Sequence, residues 1–337
     1  WEMEGFDDGG WSAAVEIMPL HTGAHGAASP PSEPFGMLRP PVRTAFPGGR
    51  THAAVLLDEQ RLVGAVATAD PVQQVLDDEA SGRRPADDDH AASEGGVDLL
   101  RYDLGRIAAG TLQLVVDGAE AGTVIDVAAS EHLDRDGRLV PLGQHVGLRY
   151  VCSGSSPEMF ESFDLIGTRH LHASVRTADR FGCPSIEMSI ADRHRPRPAG
   201  ASFTCSDPVL ERIYQVGLRT VDLCALDAYV DCPTREQRAW TGDSVVHQMV
   251  DLVANPDWSM ARWHPQLASM SRSDGMLVMA AASDFAADDR MFVPDWSLHW
   301  VRAVHNIYRY TGDRDLVAEL LPAAERTLRW FESYLDD

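Results

Sequence analysis

A chain of 337 residues is long enough for two domains, each able to bury its own core. Its 29 basic against 51 acidic residues leave a formal charge of −22, a surface that repels phosphate backbones and anionic lipid, so neither a nucleic-acid nor a membrane partner is expected. The apolar share of 44% is that of a globular protein, and no apolar run approaches the roughly 18 residues of a membrane span.

Taken in chain order, the first 200 residues alternate apolar and polar positions and are punctuated by glycine and proline. The segment at 77–96, "DDEASGRRPADDDHAASEGG", is almost devoid of apolar side chains and reads as a long exposed loop or insertion. "GTLQLVVDG" places Leu112, Leu114 and Val116 on one face of a strand, "GTVIDVAAS" follows after a short turn, and "SFDLIGTRHLHASVR" is another alternating run. "DRDGRL" lacks the length and terminal glutamate of a calcium loop and reads as a hairpin turn. Many short strands with polar turns predict a β-sandwich.

The pattern changes at "RHRPRPAGASFTCSDP", a linker marked by prolines and a glycine. Ser206 or Asp207 is placed to cap a helix, Pro208 suits its first turn, and Val209, Ile213, Val216, Thr220 and Leu223 recur at helical spacing. "SVVHQMVDLVA" is a second helix, ended by Asn255-Pro256. "WSMARWHPQLASM" and "DWSLHWVRAVHNIYRYTGD" follow, then "DLVAELL" and "AAERTLRWFESYL" on either side of Pro322, about five or six helices in hairpins.

Between the first two helices lies "DCPTREQRAWTGD", residues 231–243. A five-residue step turns a helix by about 500°, so Asp231 and Glu236 cannot share a helical face, and Pro233 and Gly242 oppose one continuous helix. The acids therefore sit on a loop, with Arg235 and Arg238 near enough to orient carboxylates and Trp240 offering a flat apolar face to a sugar ring. Such a set suits glycoside hydrolysis, where one carboxylic acid protonates the leaving oxygen and a second carboxylate acts on the opposite side. The residue types equally suit a capped connection, with Asp231 and Asp243 as helix caps and Glu236 paired to Arg238. Composition leaves both open.

This stretch closely resembles the signature D-C-P-x-R-[DE]-x-R…W-x-G-D of the bacterial α-L-rhamnosidases, inverting glycoside hydrolases of family 78. "LLRYDLGRIAAGTLQLVVDGAEAGTVIDVAASEHLDRDGRLV" is similar to the family's β-domain, with Arg106 where asparagine is frequent. "FVPDWSLHWVRAVHNIYRYTGDRDLVAELLPAAERTLRW" is similar to its helical domain, and "FDDGGW" and "LRPPVR" to the end of a preceding module. The resemblance implies a multidomain β + α fold: residues 1–45 end an N-terminal β module, 46–200 form a β-sandwich, and 201–337 form the first part of an (α/α)6 barrel. It implies that Glu236 is the general acid and that Asp231 and Asp243 bind rhamnose hydroxyls. Trp240 and Trp296 line the pocket, Arg235 contributes to binding, and Asp295 is a further wall residue or, equally, the N-cap of its helix. Gln237 stands where the longer form of the motif has an acid, and cannot donate a proton as one.

Burial beside Trp240, with Asp231 and Asp243 as negative neighbours, is expected to raise the Glu236 pKa. Inversion also needs a base about 6.5–9.5 Å away. The family's base is a glutamate late in the helical domain, and Glu319, Glu325 and Glu332 match no such motif, so the base is expected outside this chain. Trp1 opens without an initiator methionine, and "WFESYLDD" closes inside a helical pattern, so the chain reads as a piece of a longer protein, inactive alone. About half of the barrel's helices then leave apolar faces open to water.

The five cysteines (Cys152, Cys183, Cys205, Cys224 and Cys232) are scattered and odd in number, which points to no disulfide framework or zinc site and leans toward a reducing, cytoplasmic compartment. Of the thirteen histidines, His132, His145, His170 and His172 fall in the β half, and His170 and His172 share a strand face as ordinary surface or cross-strand residues. His299 is expected to pack in its helix, and Trp300 and Trp330 to be core. No metal or cofactor is expected; the partner is a rhamnose-containing glycoside or polysaccharide. The alternatives are another (α/α)6 glycosidase with a different sugar preference, and a non-catalytic carbohydrate-binding β-sandwich with a helical appendage.

Overall fold

The computed structural model describes residues 51–62, 72, 97–140, 147–177, 183–193, 195, 197–198, 200–226, 228–269, 275–281 and 293–335. The N-terminal module at 1–45, the acidic segment at 77–96 and His145 lie outside the described residues.

Seven antiparallel strands form one continuous sheet: β1 (Thr51–Ala53), β2 (Val55–Leu62), β3 (Val97–Asp117), β4 (Val124–Ser130), β5 (Gly147–Val151), β6 (Glu158–Arg176) and β7 (Ser185–Asp192). The order is β1-β7-β3-β6-β4-β5, with β2 also on β3. The sequence pattern predicts short strands; β3 and β6 instead run for 21 and 19 residues. Their pairing shifts register between Asp103 and Ala108, where Gly105 takes a left-handed φ of 73°, so an unbroken strand bends there and reads as two. The first limb of β3 pairs with β2 and the second with β7, and the inner faces of the two limbs meet in one core. Leu100, Tyr102, Leu112, Leu114, Val116, Ile125, Leu171, Val175, Met188 and Ile190 all belong to it. The buried Tyr102 hydroxyl donates to the Ile186 carbonyl at 2.9 Å, tying one limb to the other. This is a sandwich made by strands that cross from layer to layer.

The outer face of the first limb is covered as well, by the turn whose strands meet at Leu133 and Leu139, which pack on Leu99 and Ala128. In that turn Asp134 Oδ1 accepts from the Asp136 and Arg138 amides at 2.8 and 2.9 Å, the hairpin expected of "DRDGRL". His170 and His172 are buried rather than at the surface, paired across the sheet with Asp103 and Arg101. Burial lowers both pKa values, His172 to about 4.

Five helices follow among the described residues: α1 (Pro208–Leu223), α2 (Asp243–Ala254), α3 (Ser259–Leu267), α4 (Pro294–Thr311) and α5 (Arg314–Glu332). Asp207 caps α1 by accepting from the Val209 amide at 2.8 Å. α5 runs straight through Pro322, where the sequence predicts a break. Leu316, Leu320, Ala323, Ala324 and Thr327 form one buried stripe across that proline, and this packing against α4 offsets the lost backbone bond. Trp300 is core, its indole donating to the Pro265 carbonyl at 2.9 Å, whereas Trp330 is half-buried against Phe331 and Tyr334. No helix among the described residues is long and apolar enough to cross a membrane.

The linker between the two parts is pinned. The Arg195 amide donates to Ala225 O at 2.8 Å, and Arg197 pairs with Asp222 at 2.8 Å and Asp251 at 2.9 Å. The sandwich also touches the acidic loop directly: Thr234 donates to Glu131, and Gln237 Nε2 donates to Leu165 O at 3.1 Å. Gly167 permits this approach, since a Cβ there would lie 2.1 Å from the Pro233 carbonyl oxygen.

Candidate active site

After α1 the chain turns back through an antiparallel bridge between Ala225 and Tyr229, and the acidic loop begins. Its two ends are sewn together. The Asp231 amide donates to Arg238 O and the Arg238 amide donates to Asp231 Oδ1, both at 3.0 Å. The Cys232 thiol donates to Asp231 Oδ2 at 2.9 Å and accepts from the Glu236 amide at 3.4 Å. Asp231 is therefore a brace for its own loop and not a helix cap. Gln237 takes a φ of 50°, and its Nε2 also donates to Pro233 O at 2.6 Å, closing the loop from within.

Beyond the loop, β8 (Ala239–Trp240) pairs with β9 (Ala280–Ala281), which sets Ala239 in the helical core and Trp240 beside Trp296. Gly242 comes next because the ring of Trp296 lies on it; a Cβ at 242 would sit 2.4 Å from that ring. Asp243 then opens α2 as its first residue, placed on the helix by Gly242 and making no capping bond itself.

Asp231, Arg235, Glu236, Trp240, Asp243, Val246, His247 and Trp296 line one cavity of about 530 Å3. Six residues singled out in the sequence thus converge. Asp295, one position before Trp296, is exposed in the first turn of α4 and does not line the cavity; nor does it cap, since the N-cap is Val293.

Trp240 meets Trp296 edge to face, with ring centres 5.4 Å apart. Trp240 serves Glu236 as a donor rather than as an apolar wall: its indole N–H reaches Glu236 Oε2 at 2.8 Å. Arg235, and not Arg238, pairs with Glu236. Arg238 instead lies 6.0 Å from the centre of the Trp240 ring. Burial, and then the charges of Asp231 and Glu236, raise the pKa of Asp243, with His299 opposing. His299 is exposed, not packed, and acts on the site electrostatically.

The two parts of the chain match different family models. The bacterial α-L-rhamnosidase concanavalin-like domain matches residues 98–187, and the bacterial α-L-rhamnosidase six-hairpin glycosidase domain matches residues 198–337. The chain belongs to the bacterial α-L-rhamnosidases. It is 26% identical over 249 residues to an α-L-rhamnosidase of Streptomyces avermitilis, covering 72% of this chain and 23% of that one. Among solved structures it resembles a family 78 rhamnosidase of Bacillus sp. GL1, with TM-score 0.64 and 24% identity over 78% of this chain and 27% of that one. It also resembles a Klebsiella oxytoca rhamnosidase with rhamnose bound, with TM-score 0.64 and 19% identity over 83% of this chain and 56% of that one. At these identities the structures speak for the fold. The chain spans about a quarter of the length of the curated rhamnosidase that it matches.

Three side chains of this site escape a reading by residue type. Cys232 looks like a spare thiol until its bonds to Asp231 and Glu236 are seen; burial, then the Asp231 bond, raise its pKa. Val246 and His247 sit inside a helical run and look like packing residues. The signal for His247 is its spacing of four from Asp243, which puts both on one face once α2 is known to start at Asp243. Among the described residues no group of His, Cys, Asp or Glu side chains is arranged to hold a metal ion.

Proposed function

We propose that this chain supplies the acid-bearing wall of a site that hydrolyses terminal α-L-rhamnose from glycosides or polysaccharides, with inversion. The observation that carries the reading is the convergence of Asp231, Glu236 and Asp243 with Trp240 and Trp296 on one cavity. Glu236 donates the proton to the departing glycosidic oxygen. That oxygen must take the place of Arg235, whose half-exposed guanidinium is free to swing aside while the Trp240 N–H keeps Glu236 aimed. Asp231 and Asp243 accept hydrogen bonds from sugar hydroxyls, and Arg235 and the two indoles bound the ring.

The water-activating base of an inverting pair stands across the sugar from the acid. Among the described residues the carboxylates lining the cavity are all on the segment from 231 to 243, and Glu319, Glu325 and Glu332 are exposed on α5. The base therefore comes from outside these residues, and the helices here are the first part of an (α/α)6 barrel. The lining residues fall between 231 and 296, so a binding site confined to the sandwich has no support from the cavity. The test is hydrolysis of an aryl α-L-rhamnoside by the native enzyme that contains this chain. Glu236→Gln should lower kcat by at least about 100-fold, and wild-type turnover in that variant overturns the acid assignment.

A further inference from the structure

We infer that His247 contacts the sugar and helps set hydroxyl specificity, through one ring nitrogen that can donate a hydrogen bond where the neighbouring aspartates only accept. The inference rests on reading the cavity as a sugar site. His247 lines that cavity one helical turn after Asp243. Its ring stacks on Tyr229 with centres 5.5 Å apart and planes 25° from parallel.

Tyr229 is itself immobilised. Its hydroxyl donates to Asp251 Oδ2 at 2.6 Å, its amide donates to His264 Nδ1 at 3.2 Å, and Asp251 lies 2.9 Å from the Arg197 guanidinium. The imidazole is thus presented to the cavity from a rigid, buried backing. Its Nδ1 is enclosed without a hydrogen-bond partner, which leaves Nε2 as the ring nitrogen for a ligand in the cavity.

Ionised carboxylates offer acceptors alone, and the indole N–H of Trp240 is already spent on Glu236. Burial lowers the His247 pKa against the opposing charges of Asp251 and Asp231, so near neutral pH the ring is uncharged. An uncharged imidazole carries its N–H and its lone pair on different nitrogens, and the tautomer with the proton on the cavity-side nitrogen donates to a sugar hydroxyl.

The experiment is L-rhamnose binding to the native enzyme that contains this chain, at neutral pH, by isothermal titration calorimetry. His247→Phe keeps the ring and its stacking on Tyr229 and should weaken binding about tenfold, the effect of one hydrogen-bonding side chain. His247→Gln restores a donor and an acceptor and should recover most of that loss; it also carries the test if the phenylalanine variant folds poorly. Trp296→Ala is the control for the site. Binding lost in Trp296→Ala but intact in both His247 variants overturns this inference alone. No binding by the native enzyme that contains this chain, with its fold retained by circular dichroism, overturns the reading of the site and this inference together.

Discussion

The sandwich and the helical part differ in how they close their cores, although both leave some apolar side chains exposed, Met159 and Phe163 on β6 among them. In the sandwich, Leu112, Ile125, Leu171 and Ile190 are wholly buried, and even the outer face of its first limb is covered by a turn. In the helical part, α4 and α5 share a core through Trp300, Ile307 and Leu320, but α1 and α2 point apolar side chains outward. Val209, Ile213 and Val216 on α1 and Val246, Met249 and Val253 on α2 are all about half exposed or more. A sheet that doubles over itself closes its core with its own strands, whereas a layer of helical hairpins leaves one face uncovered wherever the next hairpin is not beside it. The acidic loop lies where these two regimes meet, braced by the sandwich through Gln237 and Thr234 and by the helices through Trp296.

Four substitutions probe this contrast. Leu112→Ala, at a fully buried position of the sandwich, should cost about 3 kcal/mol, read by urea denaturation. Tyr229→Phe strips the buried carboxylate of Asp251 of its 2.6 Å donor and should cost about 2 kcal/mol by the same measurement.

Asp243→Asn should act in the other direction. The folded state raises the Asp243 pKa, so ionisation opposes folding, and the wild type loses stability as pH rises from the ordinary carboxylate range through the raised value. The asparagine variant should therefore melt higher at pH 7, with the difference closing once the pH falls below the unfolded value of 3.8, while L-rhamnose binding weakens. A lower melting temperature at pH 7 counts against the electrostatic reading. Ile213→Ala, on the open face of α1 at 61% exposure, should change stability by no more than about 0.5 kcal/mol. A loss as large as that of Leu112→Ala means that this face is covered in solution, by another copy of the chain or another protein.

Much of the fold is legible in the residues because local rules act locally. The alternation of Leu112, Leu114 and Val116 and the Asp207-Pro208 start of α1 appear where expected. The errors fall where tertiary packing overrules a local signal. Pro322 marks a break that the buried stripe of α5 bridges, and the short strands expected of the β half are joined in β3, which bends at Gly105 without ending. The apolar spacing of α1 is truly helical, yet most of that stripe faces water, since periodicity reports a helix and not what covers it.

The site divides along the same line. From the sequence alone come the types and order of its groups, three acids and a tryptophan within 231–243, and their resemblance to one glycosidase family. Residue types left open whether those acids were caps or a wall, because a carboxylate performs either task. Tertiary structure decided it by bringing Trp296 onto Gly242, aiming the Trp240 N–H at Glu236, and turning His247 toward the same cavity. Those contacts join α4 and α2 to the loop across as many as 54 positions from Gly242 to Trp296, and separations of that kind are set by packing of whole elements, which no local pattern encodes.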